Sequence, residues 1–167
     1  YIKGTTEMSR YDLEDMSDNK FKEQLLDDNE KVMNGIKRMG IIIESMREMA
    51  QISSGNAEEY NIYSTLIIVL RMLYNRSKQI SKIYINDELF ILENSDKNRY
   101  EFMANIQKQR IEQVWIVIIN NALDELVKIK DYESRVLLID LFQDEKYIVI
   151  RFKDNASGIP VNIINKV

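Results

Sequence analysis

The stretch VLLIDLFQDEKYIVIRFKDNASGIP, residues 136–160, decides how the rest of the chain is read. Val136 to Phe142 and Tyr147 to Phe152 are two runs rich in β-forming residues. The polar turn Gln143 to Lys146 joins them, so they predict a hairpin. In the second run Ile148, Ile150 and Phe152 share one face, and Asp154 continues their parity. A carboxylate is thereby set on the apolar side of the sheet, where helices should pack. Burying an unpaired carboxylate is costly, so Asp154 requires a specific donor. Two donors suit it. One is the amino group of a ligand. The other is a backbone N–H, since Asp-Asn ahead of Gly158 is ordinary turn chemistry.

Working upstream, a long helix is predicted from about Met103 to Lys128. Its apolar positions are Ile111, Val114, Trp115, Ile118, Ala122, Leu123 and Leu126. Gln113, Val117, Asn121 and Asp124 fall together on another face. An Asn beside an Asp can offer oxygen ligands to Mg²⁺, which keeps most of its water and takes one or two protein ligands. The alternative is a solvated polar face. Further upstream, Leu89 to Leu92 and Ile83-Tyr84-Ile85 read as strands across Asn86-Asp87-Glu88. Ile62, Leu66, Val69, Leu73 and Ile80 read as a helix, and Glu58 to Tyr63 can hold a short strand before it.

The N-terminal part differs. From about Lys20 a helix carries Val32, Ile36, Met39, Ile43, Met46 and Ala50 in a heptad seam, which extends backward to Asn29 and Leu25. Leu26, Met33, Ile41 and Ile42 widen the apolar face, as a helical bundle requires. Gly35 and Gly40 inside it lower helix propensity by about 1 kcal/mol each. Ser53-Ser54-Gly55-Asn56 ends the helix and marks a domain boundary, while residues 1–20 read as a short element and a loop. The expected fold class is α+β: a long bundle or coiled-coil helix, then an α/β sandwich. The expected domains are residues 1–54, helical, and residues 55–167, the sandwich.

Composition narrows the chemistry. The 167 residues include 27 acidic and 23 basic side chains, with a formal charge of −4. There is no His and no Cys. That removes disulfides, thiol chemistry, Ser-His and Cys-His triads, and the common zinc, haem and iron–sulfur ligand sets. A pI near 5.1 with no basic stripe argues against nucleic acid as a partner. The longest apolar runs, such as Val114 to Ile119, are too short to span a bilayer, so no membrane contact is expected and a cytoplasmic location is. The chain opens at Tyr1 rather than Met and stops at Val167, and so reads as a fragment.

Taken together, Gln113-Val114, Asn120-Asn121-Ala122-Leu123-Asp124, the hairpin and Asp154-Asn155-x-x-Gly158-Ile159-Pro160 form a recognisable constellation. It resembles the N box and first glycine box of the histidine-kinase ATPase domain, the Bergerat-type fold shared with gyrase-type and Hsp90-type ATPases. The heptad helix is similar to the second helix of the dimerisation and phosphotransfer bundle of such kinases. Ile159-Pro160-x-x-Ile163-x-x-Lys166-Val167 resembles the segment leading to the ATP lid. The likeness covers about residues 20–167.

The resemblance implies a sensor histidine kinase core of a two-component system, using ATP and Mg²⁺. Asp154 would accept from the adenine amino group. Gly158 would let the backbone approach the nucleotide, and Asn121 would hold Mg²⁺. Asp124 and Asn155, inside the same boxes, would join them as nucleotide-binding residues. The partners implied are a second copy, through residues 20–54, and a response-regulator receiver domain. Three departures stand out. Val117 occupies a place usually polar in this family. Ala156 replaces the first Gly of the box, so this turn should take a negative-φ form or be slightly strained. The phosphoacceptor His and the second glycine-rich box lie outside the chain, so no catalytic residue is assigned within it. For the 167 residues alone, weak or undetectable Mg-ATP binding follows. A non-catalytic, kinase-like module that dimerises and binds a regulator is the competing reading.

Overall fold

In the computed structural model of the chain, the described residues are 20–50 and 56–158. The expected loop at residues 1–19, the helix stop at residues 53–55 and the tail from Ile159 lie outside them. Two compact units meet inside the first helix, between Glu44 and Ser45.

That helix, α1 (Lys20–Ala50), is unbroken through Gly35 and Gly40. A Cβ added at either glycine would meet nothing within 4 Å. Among its described side chains Asn29, Ile42 and Ser45 are buried, whereas Val32, Met39, Ile43 and Met46 of the heptad seam are each more than half exposed. The seam is therefore covered at Asn29, half-buried at Leu25 and Ile36, and open at these four positions.

The second unit contains the sandwich. Its elements are β1 (Glu58–Asn61), α2 (Ile62–Ile80), β2 (Lys82–Ile85), β3 (Glu88–Leu89), β4 (Met103–Ile106), α3 (Lys108–Leu126), β5 (Val136–Gln143) and β6 (Ile148–Asp154). Four strands form one sheet in the order β3-β2-β5-β6, with β2 and β5 parallel and the other pairs antiparallel. β1 and β4 form a separate antiparallel pair. The core packs the sheet residues Ile83, Ile85, Leu137, Ile139 and Leu141 against the two helices. Leu66, Ile67, Val69 and Leu70 come from α2, and Trp115, Ile119, Leu123 and Leu126 from α3. The fold class is thus α+β, a long helix followed by a layer of helices on a mixed sheet.

Two local expectations change. The predicted helix from Met103 begins only at Lys108, because Met103–Ile106 pairs with Glu58–Asn61. That strand alternates exposed and half-buried residues, a period of two that the longer helical pattern after it conceals. Asn61 secures the pairing. Its Oδ1 accepts from the Phe102 N–H and from Tyr63 N–H at the start of α2, and its Nδ2 donates to the Tyr100 carbonyl at 2.7 Å. The predicted strand at Leu89–Leu92 is shorter. It covers only Glu88–Leu89, and Leu92–Asn94 forms a 3-10 turn with Leu92 buried.

Candidate functional site

The site begins with the register of β5 and β6. Leu137 pairs with Asp154, Ile139 with Phe152 and Leu141 with Ile150. Residues directly opposite each other in an antiparallel pair share a face. Leu137, Ile139 and Leu141 are buried in the core, so Asp154 lies on the helix-facing side, where its parity put it. Phe152, two residues earlier, packs on Trp115 of α3 with ring centroids 5.6 Å apart. The Trp115 indole donates to the Thr65 hydroxyl at 3.0 Å, which fixes that ring between the two helices.

Asp154 is half-buried. Its Oδ1 accepts from the Ala156 N–H at 3.0 Å, so the turn supplies one of its donors. This is the backbone alternative raised above, and it occupies one oxygen of the two. Ala156 is not among the positive-φ residues, as its Cβ requires, and it packs against the core. Gly158 has φ +71°, a left-handed conformation that glycine adopts without steric cost.

Asn155 takes a different part. Its Oδ1 accepts from the Val136 N–H at 2.9 Å, and its Nδ2 donates to the Ser134 carbonyl at 2.6 Å. Both ends of the amide therefore tie the exit of β6 to the entry of β5. A nucleotide contact would have to compete with these bonds.

On α3, Gln113, Val117, Asn121 and Asp124 all face solvent, as their shared face predicts. Asn121 makes no hydrogen bond among the described residues, so its amide oxygen is open to a cation. Asp124 is already engaged, because the Arg76 guanidinium of α2 pairs with it and also donates to the Asn120 side chain. Arg76 escaped the sequence reading, since nothing in the spacing of α2 shows that it reaches across to α3. The pair is exposed, so its contribution to stability is small, about 0–1 kcal/mol. Its effect is to cancel the charge that Asp124 would bring to a metal.

The chemistry available is therefore one open amide oxygen on α3, plus a half-buried carboxylate and a left-handed glycine at the end of β6. No protein-family model and no curated protein matches the chain. Among solved structures, the Acinetobacter baumannii histidine kinase AdeS is similar, at 15% identity and a TM-score of 0.46. The likeness covers 96% of this chain and 72% of that one. No helix among the described residues is long and apolar enough to cross a membrane.

Proposed function

We propose that the second unit is the ATP-binding part of a sensor histidine kinase and that α1 is its dimerisation helix. The observation that carries this reading is Asp154. It is a carboxylate held on the helix-facing side of a terminal strand, with one oxygen left for a donor outside the turn and a left-handed glycine four residues on.

The residues present fit a Mg-nucleotide at two points. Asp154 would accept from the adenine amino group, which fixes the base by a hydrogen bond to a partly desolvated carboxylate. Asn121 would contribute one oxygen to Mg²⁺, in keeping with a cation that takes few protein ligands. When bound, ATP supplies the phosphoryl group and Mg²⁺ neutralises charge on its phosphates. This chain's own contribution is to bind and orient. The acceptor His is supplied from outside these residues, since the chain contains none. Asn155 and Asp124 act at one remove. Asn155 holds the turn that aims Asp154, and Asp124 keeps Arg76 beside the Mg²⁺ face. The exposed apolar side chains of Val32, Met39, Ile43 and Met46 on α1 support its pairing with a second copy, and the regulator and a cytoplasmic location follow from the same reading.

A single feature favours the non-catalytic alternative. Val117 is 57% exposed on the same face as Asn121, one turn before it, where a phosphate or a metal needs a polar group. Mg-ATP titrations of the wild type and of Val117→Asn separate the two readings. The kinase reading expects at most weak, millimolar-range binding by these 167 residues, strengthened by the polar side chain. No gain of binding in Val117→Asn would support the binding-module reading.

A further inference from the structure

The packing of α2 on α3 brings a cation to the face that carries Asn121. Arg76 lies one turn before the end of α2 at Ile80. Its guanidinium crosses to α3, where one Nη donates to Asn120 Oδ1 and the other to Asp124 Oδ1. Asn120 and Asp124 are four apart and so neighbours on the helix surface, and together they hold both arms of the planar fork. A guanidinium has five N–H donors, and these bonds use two of them. Arg76 makes no other hydrogen bond among the described residues, and its side chain is 42% exposed. The cation is thus oriented by α3 yet keeps donors for another partner.

The charge of the face calls for such a group. Gln113, Val117, Asn121 and Asp124 share it, and their one charge is the Asp124 carboxylate. A nucleotide polyphosphate stays negative even with Mg²⁺ bound, so an unpaired Asp124 beside Asn121 would repel it. The cations of α3 itself, Lys108 and Arg110, stand at its other end, roughly 15–20 Å from Asn121 along the axis. Lys128, beyond the helix, donates to Glu125 at 2.6 Å. Val117, one turn before Asn121, has no donor to give.

We propose, resting on the nucleotide reading above, that Arg76 is a phosphate-positioning residue. Its open N–H donors bind a phosphate oxygen of the Mg-nucleotide at Asn121, while Asn120 and Asp124 keep the fork in place. Hydrogen bonds from a guanidinium to a phosphate are short and strong, whereas the exposed Arg76–Asp124 pair adds little to the fold. The pair therefore serves to aim the cation, and Asp124 acts as its holder rather than as a ligand of the metal.

The test is a set of ¹⁵N NMR titrations of the whole chain that follow the backbone amides and the arginine Nε–Hε groups. The two ligands are Mg-ATP and adenosine, which has the base and no phosphate. In the wild type, Mg-ATP should shift the amides of residues 154–158 and the Arg76 Nε–Hε with one midpoint, and adenosine should shift the amides alone. Arg76→Gln should weaken Mg-ATP about tenfold and leave the adenosine midpoint unchanged. Arg76→Lys, which keeps the charge and loses the fork, should fall between the wild type and Arg76→Gln. An Arg76 Nε–Hε that ignores Mg-ATP while residues 154–158 respond, or equal Mg-ATP affinity in Arg76→Gln, would overturn the inference and leave the nucleotide reading standing. Weakened adenosine binding in Arg76→Gln would overturn it too, by reducing Arg76 to a structural tie between the helices. Absence of Mg-ATP shifts in the wild type would overturn both.

Discussion

Asn86 and Asp87 both adopt positive φ, 46° and 66°, and so form the tight turn between β2 and β3. Two successive left-handed residues are the signature of a type I′ hairpin, in which Asn followed by Gly is preferred. Asp87 therefore carries conformational strain that Gly would not, and Asp87→Gly should stabilise the unit by about 1 kcal/mol in urea unfolding. Asn86 does more than turn the chain. Its Oδ1 accepts from the Leu141 N–H at 2.7 Å and its Nδ2 donates to the Leu141 carbonyl at 3.2 Å, so it continues the β2–β5 ladder by a side chain. Asn86→Gly keeps the backbone freedom and removes both bonds, with an expected loss of about 2 kcal/mol. A loss near zero would mean that the ladder does not need them. The dipeptide was visible in the sequence as a boundary between strands. Its bonds to Leu141 were not, because they join residues 55 positions apart. Asp154 is the opposite case. Its face follows from parity with Ile148, Ile150 and Phe152 alone, and the register with Leu137 bears this out.

At the scale of elements, the β5–β6 turn and α1 each allow a direct test. Asp144 accepts from the Lys146 N–H at 2.8 Å and from the Tyr147 N–H at 2.7 Å. These two donors hold its carboxyl below the ordinary aspartate value. A depressed folded pKa means stabilisation that is present above the ordinary carboxylate range and lost as pH falls through the lower folded value. The ¹³C carboxyl titration of Asp144 should therefore have its midpoint below that of an exposed aspartate, with the Lys146 and Tyr147 amides shifting at the same pH. A midpoint at or above the ordinary value would contradict the turn geometry. In α1, open space surrounds Gly35 and Gly40, so replacing either with Ala should stabilise the helix by about 1 kcal/mol, read by thermal unfolding. The exposed seam has a different test. Met39→Glu with Ile43→Glu should leave the second unit folded and weaken self-association by at least about tenfold in sedimentation, since each apolar side chain buried between copies contributes about 1.5–3 kcal/mol. Equal association by the double variant would remove the seam from any dimer. The heptad spacing made this helix legible along its whole described length. β4 was not, because four residues of strand gain their hydrogen bonds only from β1, more than forty positions away.

For the molecule as a whole, the order of elements and the hairpin were readable because each depends on local periodicity. The site was readable only in part. Asn121 lies on the exposed face that its spacing predicts, while the left-handed turn at Gly158 was not specified by the sequence. The bonds of Asn155 to the entry of β5 and of Asp124 to the Arg76 guanidinium were not legible either, since only the folded chain brings those partners near. Trp115, the only tryptophan, sits between Thr65 and Phe152 and links both helices to the strand that ends in Asp154. Truncating it to Ala should cost about 3–5 kcal/mol, so fluorescence-detected unfolding is best followed on the intact residue. The most direct test is a ¹⁵N NMR titration of the chain with Mg-ATP, run in parallel on Asp154→Asn. The account predicts saturable shifts in the amides of residues 154–158 and of Asn121, growing into the millimolar range, and their loss in Asp154→Asn with the rest of the spectrum unchanged. Shifts that bypass these residues, or equal binding by Asp154→Asn, would contradict it.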